Sequence, residues 1–279
     1  TANFEKKKYP LTVNIEGEGE VIEEIINSGR TTDYDSGTTV KLTAVPAEGW
    51  EFVGWTGAIE STELEVQLLV SEAKTISATF NESNPIYLDE NGVTIKAYDW
   101  AEIGQTGIIE NVEYTIVDEL ILRDLISNDK DVTKVVTSKI TNMYQLFKDK
   151  SSFNQDIGSW DVSNVNNMQE MFLEAISFNQ DIGHWDVSNV GRMFYMFGSF
   201  NDEVDMGTIF NQDIGNWDVS KVFDMQGMFH NASQFNQDIG NWNVSNVVGL
   251  SAIFSGAKSF NQDIGNWDVS KVKDFGGVF

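Results

Sequence analysis

The hexapeptide FNQDIG opens at Phe153 and returns at Phe178, Phe210, Phe235 and Phe260, so the chain from there on is built in steps of 25, 32, 25 and 25 residues. A fixed period of this size constrains the fold more than any other feature here. It marks stacked units, each unable to bury its apolar face alone. The block WDVS follows each opening at Trp160, Trp185, Trp217 and Trp267, and Asn243 takes the place of Asp in the copy after Trp242. Within one unit the apolar period changes. Trp160 and Val162 alternate with polar residues as in a half-buried strand. Ser163 then stands where a helix N-cap would, and Val165, Met168 and Phe172 recur at helical spacing. The spacing therefore predicts strand, short helix and return segment in each unit: an α/β solenoid with one strand per coil.

Residues 128–152 align with the repeat when shifted by 25, Met143 and Phe147 falling on Met168 and Phe172, which makes them a degenerate first coil. The prediction is about six 25-residue repeats over 128–279, the last truncated, since Phe275 and Phe279 end the chain at apolar positions. From this comes the expectation that the parent protein continues, or that the open C-terminal end self-associates.

The FNQDIGxWDVSNVxxMxxMF block resembles the 25-residue repeat of BspA-like bacterial surface proteins and lipoproteins, a branch of the leucine-rich-repeat class. That resemblance spans about residues 128–279. It implies a right-handed LRR-like solenoid, an exported location at the bacterial outer surface, and a role in adhesion or recognition of an extracellular protein or glycan. It brings no catalytic residues.

Upstream, Leu11–Ile15, Thr38–Val45, Leu64–Leu68 and Thr75–Phe80 read as short strands separated by Gly and Pro turns. The pieces GTTVKLTAVPAEGWEFVGWTG and KTISATF resemble the divergent B-repeat of internalin-type surface proteins, which implies a β-grasp-like module over residues 1–81. Trp50 and Trp55 could form a sugar-stacking platform, but in so small a domain they more often fill the core. Residues 82–127 read as an N-terminal cap, with Val93–Lys96 and Glu113–Val117 as a hairpin-like pair and a helix from Asp118 to Ser127. The fold class expected is thus α+β multidomain.

Composition narrows the partners. A net charge of −25, spread along the chain, disfavours nucleic acid and anionic membranes. The chain has no cysteine, so disulfide and thiolate chemistry are excluded. No membrane insertion is expected in this segment, because no run reaches the length of a span. The many carboxylates invite a glycosidase reading, yet they recur in register, and no pair sits in a setting that would separate two pKa values. No enzyme is expected.

Several features stand out from the scaffold. Asp156, Asp181, Asp213, Asp238 and Asp263 form one unbroken column, read as a hydrogen-bonded turn ladder with calcium as the alternative; no cofactor is otherwise implied. Asp161, Asp186, Asp218, Asn243 and Asp268 form a second column on the expected outer face of the strands and are candidate ligand contacts. Asp202, Glu203 and Asp205, in the seven-residue insertion of the third coil, within the 32-residue FNQDIG interval, are further candidates. His184 and His230 occupy unrelated repeat positions and read as ordinary surface histidines. A structural spacer and a calcium-dependent module are the alternatives to adhesion.

Overall fold

The computed structural model describes residues 5–26, 33–200 and 207–279, and the chain divides into two compact units, 1–84 and 85–279. The first is built of strands. They are β1 (Lys8–Tyr9), β2 (Leu11–Glu16), β3 (Gly19–Ile25), β4 (Tyr34–Asp35), β5 (Thr38–Pro46), β6 (Trp50–Gly57), β7 (Glu65–Val70) and β8 (Lys74–Glu82). One sheet has the order β2-β8-β6, with β2 parallel to β8; another has the antiparallel order β3-β5-β7; β1 pairs with β4. The alternation seen in the sequence is what the sheets use. In β5, Val40, Leu42 and Ala44 face inward, and in β8 Ile76, Ala78 and Phe80 do so. Trp55 is 1% exposed and donates its indole N–H to the Glu63 carbonyl oxygen at 2.9 Å, while Trp50 is half-buried against the same core. The described residues of this unit contain no helix, so the β-grasp-like expectation is corrected to two small three-stranded sheets.

The second unit begins with β9 (Ile86–Leu88), β10 (Ile95–Ala97), β11 (Thr106–Ile109) and β12 (Val112–Ile116). The two segments expected to pair with each other do not. β10 pairs with β9 and β12 with β11, each across its own short connection. The helix α1 (Glu119–Ser127) follows, capped by Asp118, whose carboxylate accepts from the Ile121 N–H at 2.8 Å. Its Leu122 and Ile126 are buried in the core that continues through the repeats. β13 (Val135–Val136) lies parallel to β12 and leads into the repeats.

The repeats overturn the expected strand–helix solenoid. Among the described residues α1 is the only α-helix, and the protein is nearly all β and turn. Trp160–Ser163 forms no strand: the Trp160 N–H donates to the Ile157 carbonyl and the Val165 N–H to the Val162 carbonyl, which are successive turns. Ser163 caps no helix either. Where the helix was expected, alternate amides turn outward to the next repeat. Met143, Gln145, Phe147 and Asp149 donate to the carbonyls of Asn167, Gln169, Met171 and Leu173 at 2.8–3.0 Å. Between them Leu146, Lys148 and Lys150 close turns to residues three back.

A left-handed residue enforces this alternation. Gln145, Glu170, Tyr195, Gly227, Ala252 and Gly277 occupy one repeat position and all have φ between 47° and 60°. A positive φ at that point cannot continue a right-handed helix. The apolar spacing that imitates a helix is met by this turn ribbon instead, with one isolated parallel bridge per repeat, as at Asn142–Asn167 and Asn167–Arg192.

The core of the array is two columns of phenylalanine. Phe147, Phe172, Phe197, Phe229 and Phe254 stack at 5.4–5.9 Å, ring centre to ring centre. Phe153, Phe178, Phe210, Phe235 and Phe260 form a second column at 5.9–6.3 Å. The columns touch at 3.9–4.0 Å wherever one repeat closes into the next, as between Phe172 and Phe178. Met168, Met171, Met193, Met196, Met225 and Met228 are buried beside them, so these methionines are core.

Candidate functional site

The first candidate column, Asp156 to Asp263, closes its own loops. Asp156 Oδ1 accepts from the Gly158 N–H at 3.0 Å, and Asp181, Asp213, Asp238 and Asp263 repeat the contact with Gly183, Gly215, Gly240 and Gly265 at 2.9–3.0 Å. The residues just ahead of them join the repeats. The Asn179 N–H donates to Asn154 Oδ1 at 2.9 Å, and the Gln180 side-chain amide donates to the Asn154 carbonyl at 3.0 Å. The same pair of bonds recurs from Asn211 and Gln212 to Asn179, from Asn236 and Gln237 to Asn211, and from Asn261 and Gln262 to Asn236. Among the described residues no group of three His, Asp or Glu side chains could hold a metal ion.

The second column has a similar duty. Asp161 is 4% exposed and is enclosed by Ser138 Oγ at 2.6 Å, Ser163 Oγ at 2.6 Å and the Ser163 N–H at 3.1 Å. Asp186, Asp218, Asn243 and Asp268 are exposed, and each accepts from the N–H of the serine two residues on, at 3.0–3.2 Å. Hydrogen bonds from the Ser220 and Ser270 hydroxyls, then from their N–H groups, hold the Asp218 and Asp268 carboxyls below the usual aspartate range. The serines therefore close turns that brace the carboxylates. Asp202, Glu203 and Asp205 lie outside the described residues.

His184 hydrogen-bonds through Nε2 to the Gly158 carbonyl oxygen, 2.7 Å away in the preceding repeat. It borders a cleft of about 520 Å³ shared with Tyr114, Thr133, Lys134, Asp156 and Asp181. His230 lies among aromatic rings, 5.6 Å from Tyr195. Phe194 and Phe200 complete that cluster, which the repeat pattern alone does not predict. The signal was present as departure from the repeat: at the Tyr195 position the other units carry Gln145, Glu170, Gly227, Ala252 and Gly277.

Two family matches now bear on what such an arrangement is. Residues 120–208 and 199–279 match the family described as Mycoplasma protein of unknown function, DUF285. The chain belongs to that family. The DUF285 segments take in α1 and the whole repeat array, and residues 9–84 match the Divergent InlB B-repeat domain. No curated protein and no solved structure matches the chain. A bacterial surface repeat protein is what the two matches together support, and neither is an enzyme family. The B-repeat resemblance read from the sequence is met by a match over nearly the same residues, and the repeat region matches DUF285, a match that does not extend to the BspA-like assignment. No described helix is long and apolar enough to cross a membrane.

Proposed function

We propose that this chain is a non-catalytic interaction module, displayed at the surface of a bacterial cell or secreted from it, that recognises an extracellular protein or glycan. The observation that carries the reading is a division of roles within the repeats. The recurring Asn, Gln, Asp, Ser and Trp side chains bind neighbouring backbone, so they build a scaffold. Side chains that break the repeat are carried on that scaffold at fixed places. The DUF285 and B-repeat matches support a surface setting, and the charge of −25 favours partners that are basic or neutral.

The test is to probe the purified chain against arrays of oligosaccharides and of purified extracellular proteins. Saturable binding to one or more spots is the expected result. A chain that binds nothing on either array serves instead as a spacer that displays other parts of its parent protein.

A further inference from the structure

A residue that follows its column is explained by stacking, and a residue that breaks its column is not. The breaks gather in and just after the 32-residue FNQDIG interval. Phe194 stands where Tyr144, Gln169, Gln226, Ser251 and Gly276 stand in other units, and Phe223 where Thr141, Asn166, Gly191, Val248 and Lys273 stand. Phe200 is 55% exposed and Phe223 40% exposed, although core phenylalanines in the same array are almost wholly covered.

These rings are held firmly. Tyr195 lies across Gly227 of the next repeat, where an added Cβ would come closer than 3 Å to three ring atoms. Phe223 rests on Gly191, whose Cβ would meet the ring at 3.0 Å, and the Arg192 guanidinium sits 5.3 Å from the Phe223 ring centre. The Phe200 N–H donates to Glu174 Oε1, and Ser199, fully buried, donates its hydroxyl to Glu174 Oε2 at 2.9 Å. Tyr195 meets Phe194 at 4.7 Å and Phe200 at 4.8 Å, with planes inclined at 66° and 47°.

We propose that Phe194, Tyr195, Phe200, Phe223 and Arg192 form the docking site for a protein partner that offers apolar side chains within a basic surface. The proposal rests on the interaction-module reading above and names the partner class for it. Rings inclined at these angles present edges and a relief of knobs, whereas a pyranose stacks on a flat, open ring face. Aromatic and arginine side chains are the ones enriched at the centres of protein interfaces. The glycine seats hold the Tyr195 and Phe223 rings before binding and Glu174 holds the Phe200 backbone, so little freedom of those two rings is lost on contact. The charge of −25 selects a basic partner and makes association salt-sensitive.

The experiment compares the wild-type chain with the Phe200→Ser/Phe223→Ser variant, and with Phe223→Ser alone, on the same protein and oligosaccharide arrays. Both side chains are exposed, and the near-UV signal of the buried tryptophans reports that each variant is folded. The expected result is a basic protein bound by the wild type, at least about tenfold more weakly by the double variant, and more weakly as salt is raised. Equal protein binding by wild type and variants overturns this site and leaves the interaction-module reading standing. A loss confined to oligosaccharide spots overturns the protein assignment. No binding by the wild type removes both.

Discussion

Trp217 donates its indole N–H to the carbonyl oxygen of Ile182, 3.1 Å away in the preceding repeat. The bond recurs at Trp160, Trp185, Trp242 and Trp267, which donate to Val132, Ile157, Ile214 and Ile239 at 3.0–3.3 Å. The tryptophan is thus both core and clamp. Trp217→Ala is expected to lower stability by about 3–5 kcal/mol, as for other large-to-small changes in a core. Trp217→Phe keeps much of the packing and removes one of two bonds to the Ile182 carbonyl, which still accepts the Trp185 N–H, so its expected loss is about 0.5–1.5 kcal/mol. Urea titration of the two variants checks the order, and equal losses would show that the clamp contributes nothing beyond bulk.

The asparagine rung makes a second prediction. Asn211 accepts the Asn236 N–H through Oδ1 and the Gln237 side-chain amide through both its carbonyl and its Oδ1, all at 2.8–2.9 Å. Asn211→Ala removes the side-chain acceptor and is expected to destabilise the chain by about 1–3 kcal/mol. Asn211→Asp keeps an oxygen in place and is expected to lose clearly less. A thermal melt in which the two variants coincide would mean that the rung is held by backbone alone.

Acid lability is expected from Glu170. Its burial opposes ionisation, but hydrogen bonds from Lys148 at 2.7 Å, Gln145 at 2.7 Å and Gln169 at 3.2 Å outweigh that and hold its carboxyl below the ordinary glutamate range. The unfolded chain therefore takes up this proton at higher pH than the folded one does. Stability from the group is present above the unfolded pKa and is lost as pH falls through the folded one. Between about pH 5 and pH 3 the urea midpoint of the wild type should fall more steeply than that of Glu170→Gln. Parallel curves would place the acid sensitivity elsewhere.

Calcium is expected to leave the thermal midpoint unchanged relative to chelator. Each Asp of the first column already uses Oδ1 to close a loop onto a glycine N–H, and the described residues offer no three-carboxylate group. A midpoint raised by several degrees with added calcium, as preferential binding to the folded state requires, would overturn this and restore the calcium alternative.

The repeat and its length were legible because stacking demands identity at every period, and Phe153, Trp160 and Phe172 announce it. The strands of the first unit were legible from alternation, Val40-Leu42-Ala44 most clearly, and α1 from its Asp118 cap. The unit's internal conformation was not. Val165, Met168 and Phe172 satisfy the spacing of a helix face, but a left-handed turn at Glu170 places the same side chains inward while sending alternate amides to the next repeat. Spacing alone does not separate these two solutions; the recurrence of Gly and Ala at 227, 252 and 277 was the available hint. In the Asp161 column, expected as an outer face, Asp186, Asp218, Asn243 and Asp268 are exposed, whereas Asp161 is enclosed by Ser138 and Ser163, a difference that polarity alone does not reveal. The aromatic cluster around Tyr195 has no counterpart in the other units, so no periodicity points to it.

The 32-residue interval leaves the stacked rings undisturbed. Phe197 meets Phe210 at 3.9 Å across the longer connection, the same separation as between Phe229 and Phe235 across a short one. On either side of it, Ser199 and Thr208 are buried and bonded to the array, Ser199 to Glu174, and Thr208 to the carbonyls of Phe197 and Asn231. The longer step therefore departs from and rejoins the array at two anchored residues, and the ring register on its far side is the same as after a 25-residue step.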